Sequence, residues 1–142
     1  MDKVFARFLE KFGAPVDRQK APTSSIERYR GKLPNLLLDY WAEHGWCGYG
    51  DGIFWLVNPQ EYEGVVSSWI EGTTFEERDT YHLIARSAFG DLYLWGEKTG
   101  FSLKITSVLS RCVLHNFVLK SEDIDGELQG FILSREVDSN DY

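Results

Sequence analysis

Gly45-Trp46-Cys47-Gly48-Tyr49-Gly50-Asp51-Gly52-Ile53-Phe54-Trp55-Leu56-Val57-Asn58-Pro59 carries three structural instructions in one short run. Gly45 ends a helix, the glycines at 48, 50 and 52 form a tight turn system, and Ile53–Val57 reads as a buried strand. Asn58 then caps the following helix, with Pro59 at its first position and Glu61 completing a capping box. The glycines precede a strand rather than following one and opening a helix. A phosphate-binding loop needs the opposite order, so turn geometry is the reading, with Asp51 bonding turn amides.

Upstream, Val4, Phe5, Phe8, Leu9 and Phe12 recur at helical spacing over Asp2–Phe12, and Gly13 supplies the stop. Ala14–Thr23 reads as an irregular surface connector, and Ser24 with Glu27 as a capping box for a short turn through Ile26 and Tyr29. Pro34 opens the next helix, whose apolar face is Leu37, Leu38, Tyr40 and Trp41. Downstream of Asn58-Pro59, the helix carries Tyr62, Val65, Val66, Trp69 and Ile70. Beyond Gly72 the period shortens, giving strands at Tyr81–Ala88, Leu92–Trp95, Phe101–Ile105 and Arg111–Leu114 joined by turn residues in an antiparallel meander. A last helix is expected over Ile124–Ser134, weakened by Gly126 and Gly130, and Asp138–Tyr142 are expected to be loose.

Helices first and strands later define an α+β class: N-terminal helices packed on one face of an antiparallel or mixed β-sheet formed mainly by the C-terminal half. At 142 residues with 43% hydrophobic and 15% aromatic content, the chain is long enough for one compact domain over 1–142. Within it, 1–72 is the helical part and 80–134 the β-rich part.

The net charge of −7 opposes binding to a phosphate backbone, which works through Lys and Arg, and favours a basic partner. Between Lys120 and Tyr142 seven acids face two bases, so −5 of that charge lies in the tail. Cys47 and Cys112 are too few for a zinc site without histidine help, and His44, His82 and His115 show no ligand spacing. No metal and no cofactor are expected, and both cysteines are expected to be reduced and buried. No segment has the length to span a bilayer and the N-terminus lacks a signal-peptide run, so a cytoplasmic location with no membrane contact is the simplest reading.

No catalytic residue is assigned. His44 near Cys47 lacks an orienting third group, and its place at a helix C-terminus accounts for it. Glu76-Glu77-Arg78-Asp79 reads as a solvated linker. Trp41, Trp69 and Trp95 fall on buried phases, whereas Trp46 and Trp55 flank the glycine turns, as core residues or as interface anchors.

Tyr29-Arg30-Gly31-Lys32-Leu33-Pro34, Leu38-x-Tyr40-Trp41 and Gly48 through Pro59 together resemble the bacterial GAD-like domain. Ala88-Phe89-Gly90-Asp91-Leu92-Tyr93-Leu94-Trp95-Gly96-Glu97 looks like the opening of the domain that commonly follows it, at the C-terminus of immunity proteins encoded beside type VI secretion effectors. The resemblance implies an immunity protein that binds a toxic effector, often a DNase, and blocks it; it brings no catalytic motif. Relatives usually continue into a further helical, Gly-Leu-Gly-type ending that is missing after Asp138, which points to a shorter relative or a truncated chain. On charge and expected exposure, the partner-binding candidates are Glu76, Glu77, Asp79, Glu122, Asp123 and Asp125, with Trp46 and Trp55 as anchors. The partner would be a cognate, basic nuclease, with no direct nucleic-acid binding. The competing readings are a small enzyme using Asp51 and His44 in a glycine-lined cleft, and a housekeeping interaction module.

Overall fold

The computed structural model describes residues 3–13, 15–50, 52–88, 90–106, 111–114, 125–126, 128–129 and 131–132. Helix α1 (Lys3–Phe12) is amphipathic as its spacing predicts, with Phe5 and Phe8 fully buried. Gly13 closes it at φ 83°, its amide donating to the Leu9 carbonyl at 2.8 Å, a left-handed cap that a side chain would strain.

The expected connector after α1 instead contains a strand. Val16–Gln19 forms β1, which pairs through Val16 with Gly48 and through Gln19 with Trp46 of β2 (Trp46–Tyr49). Asp17, Arg18 and Gln19 are exposed, so no alternation of apolar residues announces this edge strand; only its main-chain partner creates it. Gly48, expected in a turn, is also a strand residue. An added Cβ there would come within 2.8 Å of the Trp55 ring, so glycine is needed for close approach rather than for turning. The turn itself is carried by Gly50 and Gly52, both at positive φ.

Between these strands lie α2 (Thr23–Arg28) and α3 (Asn35–His44). The Ser24–Glu27 capping box does not form: Pro22 is the N-cap residue, and Glu27 instead pairs with Arg30 at 3.1 Å. Pro34 sits one position earlier than expected, as the N-cap of α3, and offers no side-chain acceptor. Gly45 ends α3 at φ 72°, its amide bonded to the Trp41 carbonyl.

Strand β3 (Phe54–Leu56) leads into a 3-10 turn at Pro59–Tyr62, where Asn58 caps through Oδ1 to the Gln60 amide at 3.1 Å. The return bond expected of Glu61 is not made among the described residues. Helix α4 (Glu63–Ile70) and the single turn α5 (Phe75–Arg78) follow; the latter occupies the stretch expected as a solvated linker. The meander is then built as the alternation predicts: β4 (Tyr81–Ser87), β5 (Asp91–Gly96), β6 (Gly100–Thr106) and β7 (Arg111–Leu114). All seven strands form one antiparallel sheet in the order β1-β2-β3-β4-β5-β6-β7. At the expected last helix, the described residues Asp125–Gly126, Leu128–Gln129 and Phe131–Ile132 are helical.

The α+β class therefore holds, with one correction: helices cover both faces of the sheet. On one face α1, α3 and the helical residues Leu128, Phe131 and Ile132 enclose Tyr49, Phe54, Ala85, Tyr93 and Trp95. On the other, Val66 and Ile70 of α4 pack on Leu83, Leu94, Leu103 and Ile105. The two-residue side-chain period lets β4 and β5 supply both sets, and a bulge between Leu83 and Ala85 shifts the phase within β4. The first core is strongly aromatic: Phe5 lies 4.3 Å from Tyr40 in a stacked pair, and Phe8 meets Tyr49 edge-on at 5.0 Å. Such a pair contributes about 0.5–1.5 kcal/mol beyond its buried area.

Candidate functional site

The acidic residues singled out in the sequence meet very different fates. Asp79 is 8% exposed, and its carboxylate is taken up by the chain itself. It accepts from the amides of Thr80 (2.7 Å), Lys98 (3.0 Å) and Thr99 (2.8 Å) and from the Thr99 hydroxyl (2.7 Å). It thus anchors the turn between β5 and β6. Asp125 is exposed but accepts from the Leu36 amide at 3.2 Å, supplying the cap that Pro34 cannot give to α3. Glu76 is exposed, with one oxygen accepting from the Gly72 amide at 2.8 Å, and Glu77 beside it is exposed. Glu122 and Asp123 lie outside the described residues.

Glu76 and Asp79 come together with Glu71, which sequence reasoning missed, around a groove of about 510 Å³ between α4, α5 and the start of β4. Val66, Ile70 and Tyr81 give it an apolar floor. Glu71 is the C-cap residue of α4, and a carboxylate there adds to the negative end of the helix dipole. A groove of this makeup accommodates the aliphatic stem of a lysine or arginine while its charged head meets carboxylates.

The two tryptophans also separate. Trp46 is 7% exposed and lies edge-on to Trp41 with centroids 5.4 Å apart. Trp55 is half-buried, its indole N–H donating to the Gly52 carbonyl at 2.9 Å.

Around the alternative catalytic pair, the His44 ring packs at a tilt on Phe5 (centroids 4.8 Å apart) and its Nε2 lies 3.5 Å from Glu43. Asp51 is outside the described residues. Cys47 is buried and unbridged, its thiol 3.0 Å from the Tyr49 hydroxyl, and burial pushes both groups above their ordinary values. Cys112 lies on β7, its side chain outside the description, as is His115. His82 contacts Glu97 at 2.7 Å and packs edge-on against Tyr29. Among the described residues no group of three or more His, Cys, Asp or Glu side chains could hold a metal ion, and no helix is long and apolar enough to cross a membrane.

A family model for the GAD-like domain matches residues 3–109, a span that takes in Ala88–Glu97 together with the earlier motifs. Among solved structures, the crystal structure of Atu4351 from Agrobacterium tumefaciens is similar, with a TM-score of 0.77 and 23% identity. The alignment covers 93% of this chain and 59% of that one, so the chain spans about three-fifths of the length of Atu4351, and the likeness is one of fold. A search of curated proteins gives no significant match. With its conserved-domain match extending over most of the sequence, the chain belongs to the GAD-like domain family.

Proposed function

We propose that this chain is an immunity protein of the type VI secretion system, acting in the cytoplasm, that neutralises a toxic effector by stoichiometric binding and without turnover. A DNase is the expected class of effector. Membership of the GAD-like family supports the reading, together with Ala88–Glu97, whose sequence resembles the opening of the domain at the C-terminus of immunity proteins encoded beside type VI secretion effectors.

The observation on the molecule that carries the reading is the groove that offers the exposed Glu71 and Glu76, with Glu77 exposed beside it, while the Asp79 carboxylate in its lining is spent on the β5–β6 turn. A nuclease that binds DNA presents Lys and Arg to the phosphate backbone. An acidic, apolar-floored groove on a chain of net charge −7 competes for those side chains. Trp55 and Trp46 are secondary anchors in this reading, and Glu122, Asp123 and Asp125 are further acidic candidates.

The test pairs this protein with the product of the adjacent reading frame. Calorimetry is expected to give a one-to-one complex, and plasmid cleavage by the effector is expected to stop at the equivalence point. Undiminished cleavage at saturating protein would defeat the proposal.

A further inference from the structure

A second pocket, of about 430 Å³, lies where β1, β2 and β3 meet the 3-10 turn, away from the acidic groove. Trp46, Trp55 and Val57 give it an apolar wall; Arg86, Tyr62 and Gln19 are among its polar residues. Trp55 and Arg86 are directly opposite one another on β3 and β4. The guanidinium carbon of Arg86 stands 4.9 Å from the centroid of the Trp55 ring, and its Nε donates to the Tyr62 hydroxyl at 3.1 Å. The indole is fixed in turn by its bond to Gly52. Arg86 is therefore held by a ring and a hydroxyl.

Among the described residues, no carboxylate lies within ion-pair distance of Arg86. A half-buried guanidinium has given up hydration without gaining a counter-charge, and its two Nη groups keep the planar fork that matches an oxyanion. Asp17 and Glu61 also line the pocket, so one cation faces two acidic residues. Against those carboxylates a phosphate dianion is repelled about twice as strongly as a single negative charge, so a monoanion seated on the fork is the lesser cost. Asp17 is moreover the non-glycine residue at positive φ (49°) among those described, a strained backbone at the pocket's rim.

We propose that this pocket binds a monocarboxylate with an apolar or aromatic body, the carboxylate on Arg86 and the body against Trp55 and Trp46. The site shares Trp46 and Trp55 with the secondary anchors of the immunity reading but does not rest on that reading. The carboxylate is that of a free small acid or of a peptide C-terminus, and the experiment separates the two.

The titration is followed by NMR at the Trp55 indole N–H and the Arg86 Nε–H. Phenylacetate represents the small acid, and N-acetyl-Gly-Phe with a free C-terminus represents the peptide; phenylacetamide and the peptide amide are the controls. Saturable shifts at both resonances with at least one carboxylate, and weaker binding of its amide, are expected; the tighter carboxylate identifies the source. No saturable shift with either acid, or equal binding of acid and amide, overturns the proposal. Arg86→Gln is expected to weaken the carboxylate about ten- to a hundredfold, with Arg86→Lys between it and the wild type. An Arg86→Gln protein that melts normally and binds as tightly as wild type also overturns it. If that variant does not fold, the acid-against-amide comparison on the unaltered protein decides.

Discussion

At the residue scale, burial decides what a polar side chain does. Asp79 has the same chemistry as Glu77, two positions earlier, yet one is enclosed by four donors and the other faces solvent. Asp79→Ala leaves the amides of Lys98 and Thr99 without their acceptor and is expected to cost about 2–3 kcal/mol. Urea denaturation measures the loss, and faster hydrogen exchange at Lys98 and Thr99 locates it. Cys47 and Tyr49 give a prediction in pH. Burial raises both in the folded state, so each contributes stability that is fully present below its unfolded value and is lost as pH rises through the folded one. The ordinary values, 9.0 for the thiol and 10.0 for the phenol, place the onset of alkaline destabilisation above pH 9. Tyrosinate absorbance followed against pH is expected to show Tyr49 ionising together with unfolding rather than before it. None of this was legible locally. The acceptor role of Asp79 depends on a turn nearly twenty residues away, and nothing in Glu76-Glu77-Arg78-Asp79 marks which acid turns inward.

At the scale of elements, the meander from Tyr81 to Leu114 was readable because alternating apolar residues and the turn residues between them both point to the same strands. Strands β1 and β2 were not. Val16–Gln19 has no buried side chain to reveal it, and Trp46–Tyr49 was masked by a glycine whose missing Cβ makes room for Trp55. Helix α3 shows the same division. Its apolar face and its Gly45 stop are local, whereas its N-terminal cap comes from Asp125, 89 positions along the chain. Asp125→Ala is expected to lower stability by about 1 kcal/mol, the usual loss on removing a capping acceptor. Because Asp125 is exposed, little packing is lost with it. A small fall in melting temperature, with the Leu36 amide the most affected in exchange, is the expected result; an unchanged melting temperature would mean that water replaces the carboxylate at no cost.

For the molecule as a whole, charge sets the approach of a partner and the two cores set the surface it meets. If the acidic groove receives a basic effector, Glu76→Lys with Glu77→Lys is expected to slow association about tenfold at low salt, with the difference shrinking as salt rises. Stopped-flow rates at several ionic strengths check this, and a rate insensitive to both the substitutions and salt would place the contact elsewhere. The candidate site was visible in the sequence only as scattered acids: Glu76 was named, Glu71 was not, and the apolar floor came from Val66 and Ile70, which read simply as a helix face. The sequence by itself determined the α+β class, the helix stops at Gly13 and Gly45, the meander and the family, because each rests on side-chain periodicity or backbone permissiveness within a few residues. Only the tertiary structure decided that helices cover both faces of the sheet, that β1 exists, and which acids and tryptophans are spent inside the fold. Those outcomes depend on main-chain pairing and packing between residues far apart in the chain, whose partners no local pattern names.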